Sequence, residues 1–65
     1  MLVEVQIHGD AGAAALGETL IRAGVGYKVA PLDDGWWAFR VDEKDKRFLP
    51  PAGNYGVRYP ASARR

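Results

Sequence analysis

The chain has 65 residues, 48% of them hydrophobic, a net charge of +1 and no cysteine. A domain this short buries only about 60% of the surface its unfolded chain exposes, so one modest core and no second domain are expected in these residues. With no thiol there is no disulfide, and a lone His8 makes no structural zinc site. Stability must come from a compact aromatic core, from self-association or from a partner.

The near-neutral total hides a split. Residues 1–45 carry eight acids against four bases, whereas residues 46–65 carry five bases and no acid. The basic third either forms an arm for nucleic acid or an acidic partner, or folds back onto the acidic body. Glu4, Asp10, Glu18 and Arg22 interrupt the apolar stretches well short of the ~20 residues of a spanning helix. Met1 leads straight into a strand-like segment with no basic leader, which predicts a cytoplasmic location. Richness in Ala, Gly and Arg, with little Ser, Thr or Asn, suggests a GC-rich bacterial or phage genome.

Leu2–His8 alternates Val3, Val5 and Ile7 against Glu4, Gln6 and His8, the pattern of a half-buried strand. Gly9 breaks it, and Asp10 is placed to cap the next segment through its carboxylate. From Ala11 to Ala23 the period becomes helical. Ala13, Leu16, Leu20 and Ala23 form a stripe edged by Ile21, and Glu18 pairs with Arg22 on the solvent side. Gly24 is the expected C-terminal stop. Gly17 weakens the helix and is explained if it lets the helix lie close on a sheet.

Val25, Tyr27 and Val29 then alternate against Gly26, Lys28 and Ala30. Pro31 to Gly35 has turn chemistry, and Trp37, Phe39 and Val41 alternate against Trp36, Ala38 and Arg40, so a β-hairpin is expected. In Asp42–Leu49, Asp42 with Lys46 and Glu43 with Arg47 stand at i, i+4 and predict one or two helical turns anchored by Phe48 and Leu49. Pro50 and Pro51 end them. Asn54–Tyr59 alternates once more and could be an edge strand, while residues 61–65 form a loose basic tail.

The expected fold is therefore α+β: a small β-α-β-β(-β) sheet with one helix on one face, spanning residues 1–60. This order of elements resembles a ferredoxin-like plait with its second helix cut short.

Catalysis is not expected. The chain holds one His, one Ser (Ser62) and one Thr (Thr19), too few to assemble a nucleophile, a base and an orienting group. Asp33 and Asp34 read as turn formers. Gly9-Asp10-Ala11-Gly12 has the letters of a phosphate clamp, but Asp10 places negative charge where the phosphate would sit. No cofactor, metal or membrane partner is implied.

Trp36 and Trp37 are the informative pair, since consecutive strand residues face opposite ways. With Trp37 under the helix, Trp36 lies on the far face among Arg40, Lys28, Gln6 and His8, a surface suited to recognition. The alternative is that Tyr55 or Tyr59 folds over Trp36. The first expectation for function is a protein-interaction module, an accessory or regulatory factor or an assembly subunit, that binds a partner or a second copy through this face and the sheet edge. The second is a nucleic-acid-binding module in which Tyr55, Tyr59 or Trp36 stack on bases and Arg47, Arg58, Arg64 and Arg65, with Lys28 and Arg40, meet phosphates.

Overall fold

The computed structural model describes residues 1–60. Five regular elements follow one another: β1 (Leu2–His8), α1 (Asp10–Arg22), β2 (Tyr27–Pro31), β3 (Trp36–Asp42) and β4 (Val57–Arg58). Short 3₁₀ segments, Asp33–Gly35 and Glu43–Phe48, complete the connections. The four strands form one antiparallel sheet in the order β2-β3-β1-β4.

The alternation seen in the sequence sets the two faces. Register places Val3, Val5 and Ile7 of β1 opposite Val41, Phe39 and Trp37 of β3, which in turn stand opposite Tyr27, Val29 and Pro31 of β2. On this inner face Val5, Ile7, Phe39 and Val41 are buried together with Leu16 and Leu20 of α1 and with Val25 and Leu49 from the connections. Among the described residues every buried side chain is apolar, so the core rests on area removed from water, worth roughly 25 cal/mol per Å².

The helix starts at Asp10, one residue before the expected position, and its N-cap is Gly9, which supplies no side-chain bond. The Asp10 carboxylate is turned instead to Trp37, whose Nε1–H donates to Oδ1 at 3.1 Å. An indole at the margin of the core needs an acceptor more than an exposed first turn needs a cap. At the other end Gly24 is in the left-handed region (φ 73°). Its N–H donates to the Ile21 carbonyl at 3.0 Å, and Val25 N–H donates to Leu20 at 2.9 Å, the paired bonds of a Schellman cap. The helix stripe is narrower than expected: Leu16, Gly17 and Leu20 are buried and Ala13 is partly so, while Ile21 stays 66% exposed. A Cβ on Gly17 would lie 3.1 Å from the Tyr27 hydroxyl, so the glycine does allow close approach of α1 to β2.

Two later segments depart from expectation. Glu43–Phe48 is 3₁₀ rather than α-helical, and no Asp42–Lys46 or Glu43–Arg47 ion pair forms among the described residues. At three residues per turn, positions four apart no longer share a face. Asp42 serves as the cap, accepting from Lys44 N–H at 3.1 Å, and Phe48 and Leu49 anchor the segment against the core as expected. The last strand is only Val57–Arg58, paired with Ile7 and Gln6. Before it, His8 N–H donates to the Gly56 carbonyl and Gly56 takes a positive φ (75°), a turn that leaves Tyr55 outside the ladder. The expected basic tail, residues 61–65, lies outside the described residues.

Candidate interaction surface

The outer face of the sheet carries no covering element among the described residues. Its side chains come from Lys28 and Ala30 of β2, Trp36, Ala38 and Arg40 of β3, Glu4, Gln6 and His8 of β1, and Arg58 of β4. They form cross-strand rows. One row runs Lys28, Arg40, Glu4; the next runs Ala30, Ala38, Gln6, Arg58; the last pairs Trp36 with His8.

Polar bonds link the rows. Arg40 Nε donates to Glu4 Oε1 at 3.1 Å, Gln6 Nε2 donates to Glu4 Oε2 at 2.8 Å, and Arg58 Nε donates to Gln6 Oε1. Arg58 then reaches across β1 until its guanidinium lies 3.9 Å from the centre of the Trp36 ring. The His8 ring meets the same indole in an edge-to-face arrangement with centroids 5.0 Å apart, and His8 Nε2 is 2.9 Å from the Asp34 carbonyl oxygen. A guanidinium over an indole at a partly exposed site contributes about 0.5–1 kcal/mol. The arrangement holds Trp36 in one orientation without burying it, which lowers the entropy that a binding event must remove.

Trp36, Gln6 and His8 are thus brought together as expected. Gln6 stands in the row next to Trp36 and His8, whereas Arg40 and Lys28 share the face but stand in the row beyond it, with Arg40 tied to Glu4. Neither tyrosine covers Trp36. Tyr55 is fully exposed and borders a shallow hollow with Trp36, His8 and Gly56, and the Tyr59 hydroxyl donates to the Pro50 carbonyl. Burial raises the Tyr59 phenol above its ordinary value. Arg47 is not near this surface chemistry: it stacks over Phe48 at 4.6 Å and donates to the Lys44 carbonyl. Arg64 and Arg65 lie outside the described residues.

Arg58, grouped in the sequence with the C-terminal cations, lies in the structure beside Trp36 and Gln6. The signal was present, since an inward Val57 forces its neighbour outward, but the pairing of β4 with β1 was needed to bring it to Trp36. Glu4, which joins Arg40 to Gln6, was likewise visible only as an outward polar residue.

A second feature lies on the helix side. One helix is too narrow to roof four strands, and along β2 an open apolar groove of about 460 Å³ remains, lined by Ala14, Gly17, Ile21, Tyr27, Val29 and Trp37 among others. Among the described residues no group of three or more His, Cys, Asp or Glu converges, and no helix is long and apolar enough to cross a membrane. Comparison with protein-family models, curated proteins and solved structures gave no match.

Proposed function

We propose that the chain is a non-catalytic protein-interaction module, an accessory factor or assembly subunit, that binds through the outer sheet face and the free β2 edge. The observation that carries this reading is Trp36, kept half-buried on an otherwise uncovered sheet face by Arg58 and His8. Oriented aromatic and arginine side chains supply most of the energy of known protein interfaces. The fold on which this surface is mounted is, in our reading, a ferredoxin-like plait whose second helix is reduced to the Glu43–Phe48 segment. The strand order β2-β3-β1-β4 and the β-α-β-β order along the chain support that assignment.

A nucleic-acid reading has one observation in its favour, the exposed Tyr55 beside Trp36. The cations speak against it. Arg40 is paired with Glu4, Arg58 is occupied by Gln6 and Trp36, and Arg47 sits on Phe48, so they form no continuous track for a phosphate backbone.

Capture from the native host with wild type and Trp36→Ala side by side tests the proposal. Proteins retained by wild type and lost from a folded Trp36→Ala variant are expected; an identical set from both removes Trp36 from the surface. Titration with single-stranded DNA or RNA against salt separates the alternative. Steep weakening with salt, by several logarithmic units per unit, marks phosphate contacts, and no binding at low salt is the expected result.

A further inference from the structure

Among the described residues β2 pairs only with β3, so its other side is an edge. The hairpin shows which main-chain groups face that edge. Leu32 N–H donates to the Trp36 carbonyl at 2.7 Å, in line with the β2–β3 register. Main-chain groups alternate sides along an antiparallel strand, so those of Ala30 and Lys28 face β3, and those of Tyr27, Val29 and Pro31 face outward. Pro31 has no N–H, which fits an outward position.

We propose, resting on the interaction-module reading, that this edge takes β2 of a second copy of the chain, antiparallel about a two-fold axis at Val29, and extends the sheet across both molecules. Of the symmetric registers that the outward groups allow, those with the axis at Lys28 or at Val29 keep the most main-chain hydrogen bonds. With the axis at Lys28, two ammonium groups stand directly opposite each other, an arrangement that destabilises a strand pair. With the axis at Val29, Val29 faces Val29, Tyr27 faces Pro31, and Lys28 faces Ala30. The second register leaves four main-chain hydrogen bonds, since each Pro31 removes one donor.

Two surfaces match this register. On the outer face, the row that receives Lys28 of the second copy continues through Ala30 and Ala38, the smallest side chains there. They floor a hollow of about 310 Å³ whose walls include Leu32 and Glu4. The lysine stem can lie over the alanines with its ammonium directed toward the Glu4 carboxylate, a use of the side chain that keeps the charge solvated. On the inner face, Val29 and Ile21, 46% and 66% exposed, border the open groove, and the axis brings the two grooves side by side. The isologous geometry gives each copy the same contacts.

Single-cysteine variants test the register, because the chain has no cysteine of its own. Positions 28 and 30 are both exposed, and facing non-hydrogen-bonded residues have Cα atoms about 4.5 Å apart, within disulfide reach. Lys28→Cys mixed with Ala30→Cys under mild oxidation is expected to give chiefly the mixed disulfide, alongside a micromolar dimer of the wild type in sedimentation equilibrium. Val29→Lys, with melting unchanged in the monomer, is expected to raise the dimer dissociation constant about tenfold or more. A Lys28→Cys homodisulfide as the main product overturns the register, and a wild-type monomer throughout the micromolar range overturns the proposal. Either result leaves the Trp36 capture experiment, and the reading it tests, standing by itself.

Discussion

Gly17 weighs helix propensity against packing, and the balance can be measured. Glycine within a helix is about 1 kcal/mol less favourable than alanine, so Gly17→Ala has that much to gain. The added Cβ would meet the Tyr27 hydroxyl at 3.1 Å, while its other neighbours, Tyr27 Cζ at 3.8 Å and Phe39 Cε2 at 4.0 Å, are at ordinary contact distance. The Tyr27 ring cannot retreat freely, since it rests on the buried Phe39 with ring centres 5.6 Å apart. Overpacking of this kind costs about 1–3 kcal/mol, so Gly17→Ala in the wild-type background is expected to be neutral or to destabilise by up to about 2 kcal/mol. Tyr27→Phe removes the only close atom. In that background Gly17→Ala is expected to stabilise by about 1 kcal/mol, a rise in Tm of about 4–8 °C for a domain of this size. A double-mutant cycle by thermal or urea unfolding reads the coupling directly. The same effect of Gly17→Ala in both backgrounds would refute the close approach of α1 to β2.

Other substitutions probe separate parts of the structure. Leu20 is completely buried, so Leu20→Ala is expected to lose about 2–5 kcal/mol, enough to leave so small a domain largely unfolded near body temperature, as followed by circular dichroism. Arg58→Ala removes the guanidinium from the Trp36 ring and should raise collisional quenching of indole fluorescence in a Trp37→Phe background; unchanged quenching would show that Arg58 does not shield the ring. Tyr59 has a raised phenol pKa from burial, so the folded state favours the protonated form. Its contribution is fully present below the unfolded phenol value of about 10 and is lost as pH rises through the folded value. Tyr59→Phe should flatten the alkaline end of the stability profile, and an unaltered profile would remove Tyr59 as its source.

Much of this architecture was legible in the residues. Alternation in Leu2–His8 and in the Trp36–Asp42 strand assigned both faces correctly because a period of two leaves no other choice once one face is apolar. Gly24 marked the end of α1 because only a residue tolerant of positive φ closes a Schellman cap without strain. What failed depended on contacts distant in the chain. Asp10 looked like a cap until Trp37, 27 positions away, offered its indole N–H. The charge pairs of Asp42–Leu49 suggested one or two helical turns, and the segment is helical. It winds as 3₁₀, however, with Glu43 N–H donating to the Met1 carbonyl at 2.8 Å, so the expected i, i+4 pairs do not meet. Arg58 joined Trp36 only through the β1–β4 pairing, and that pairing shortened the last strand to the two residues that reach Gln6 and Ile7.

Amide hydrogen exchange by NMR over a dilution series tests most directly whether the β2 edge is open in the single chain and closed by association. At the lowest concentrations Tyr27 and Val29 amides should exchange quickly, with Lys28 and Ala30 protected by β3; Tyr27 and Val29 should gain protection as concentration rises. Protection of Tyr27 and Val29 that is already complete in the dilute monomer would mean that the edge is covered within the chain, and would contradict an interaction module built on an open sheet.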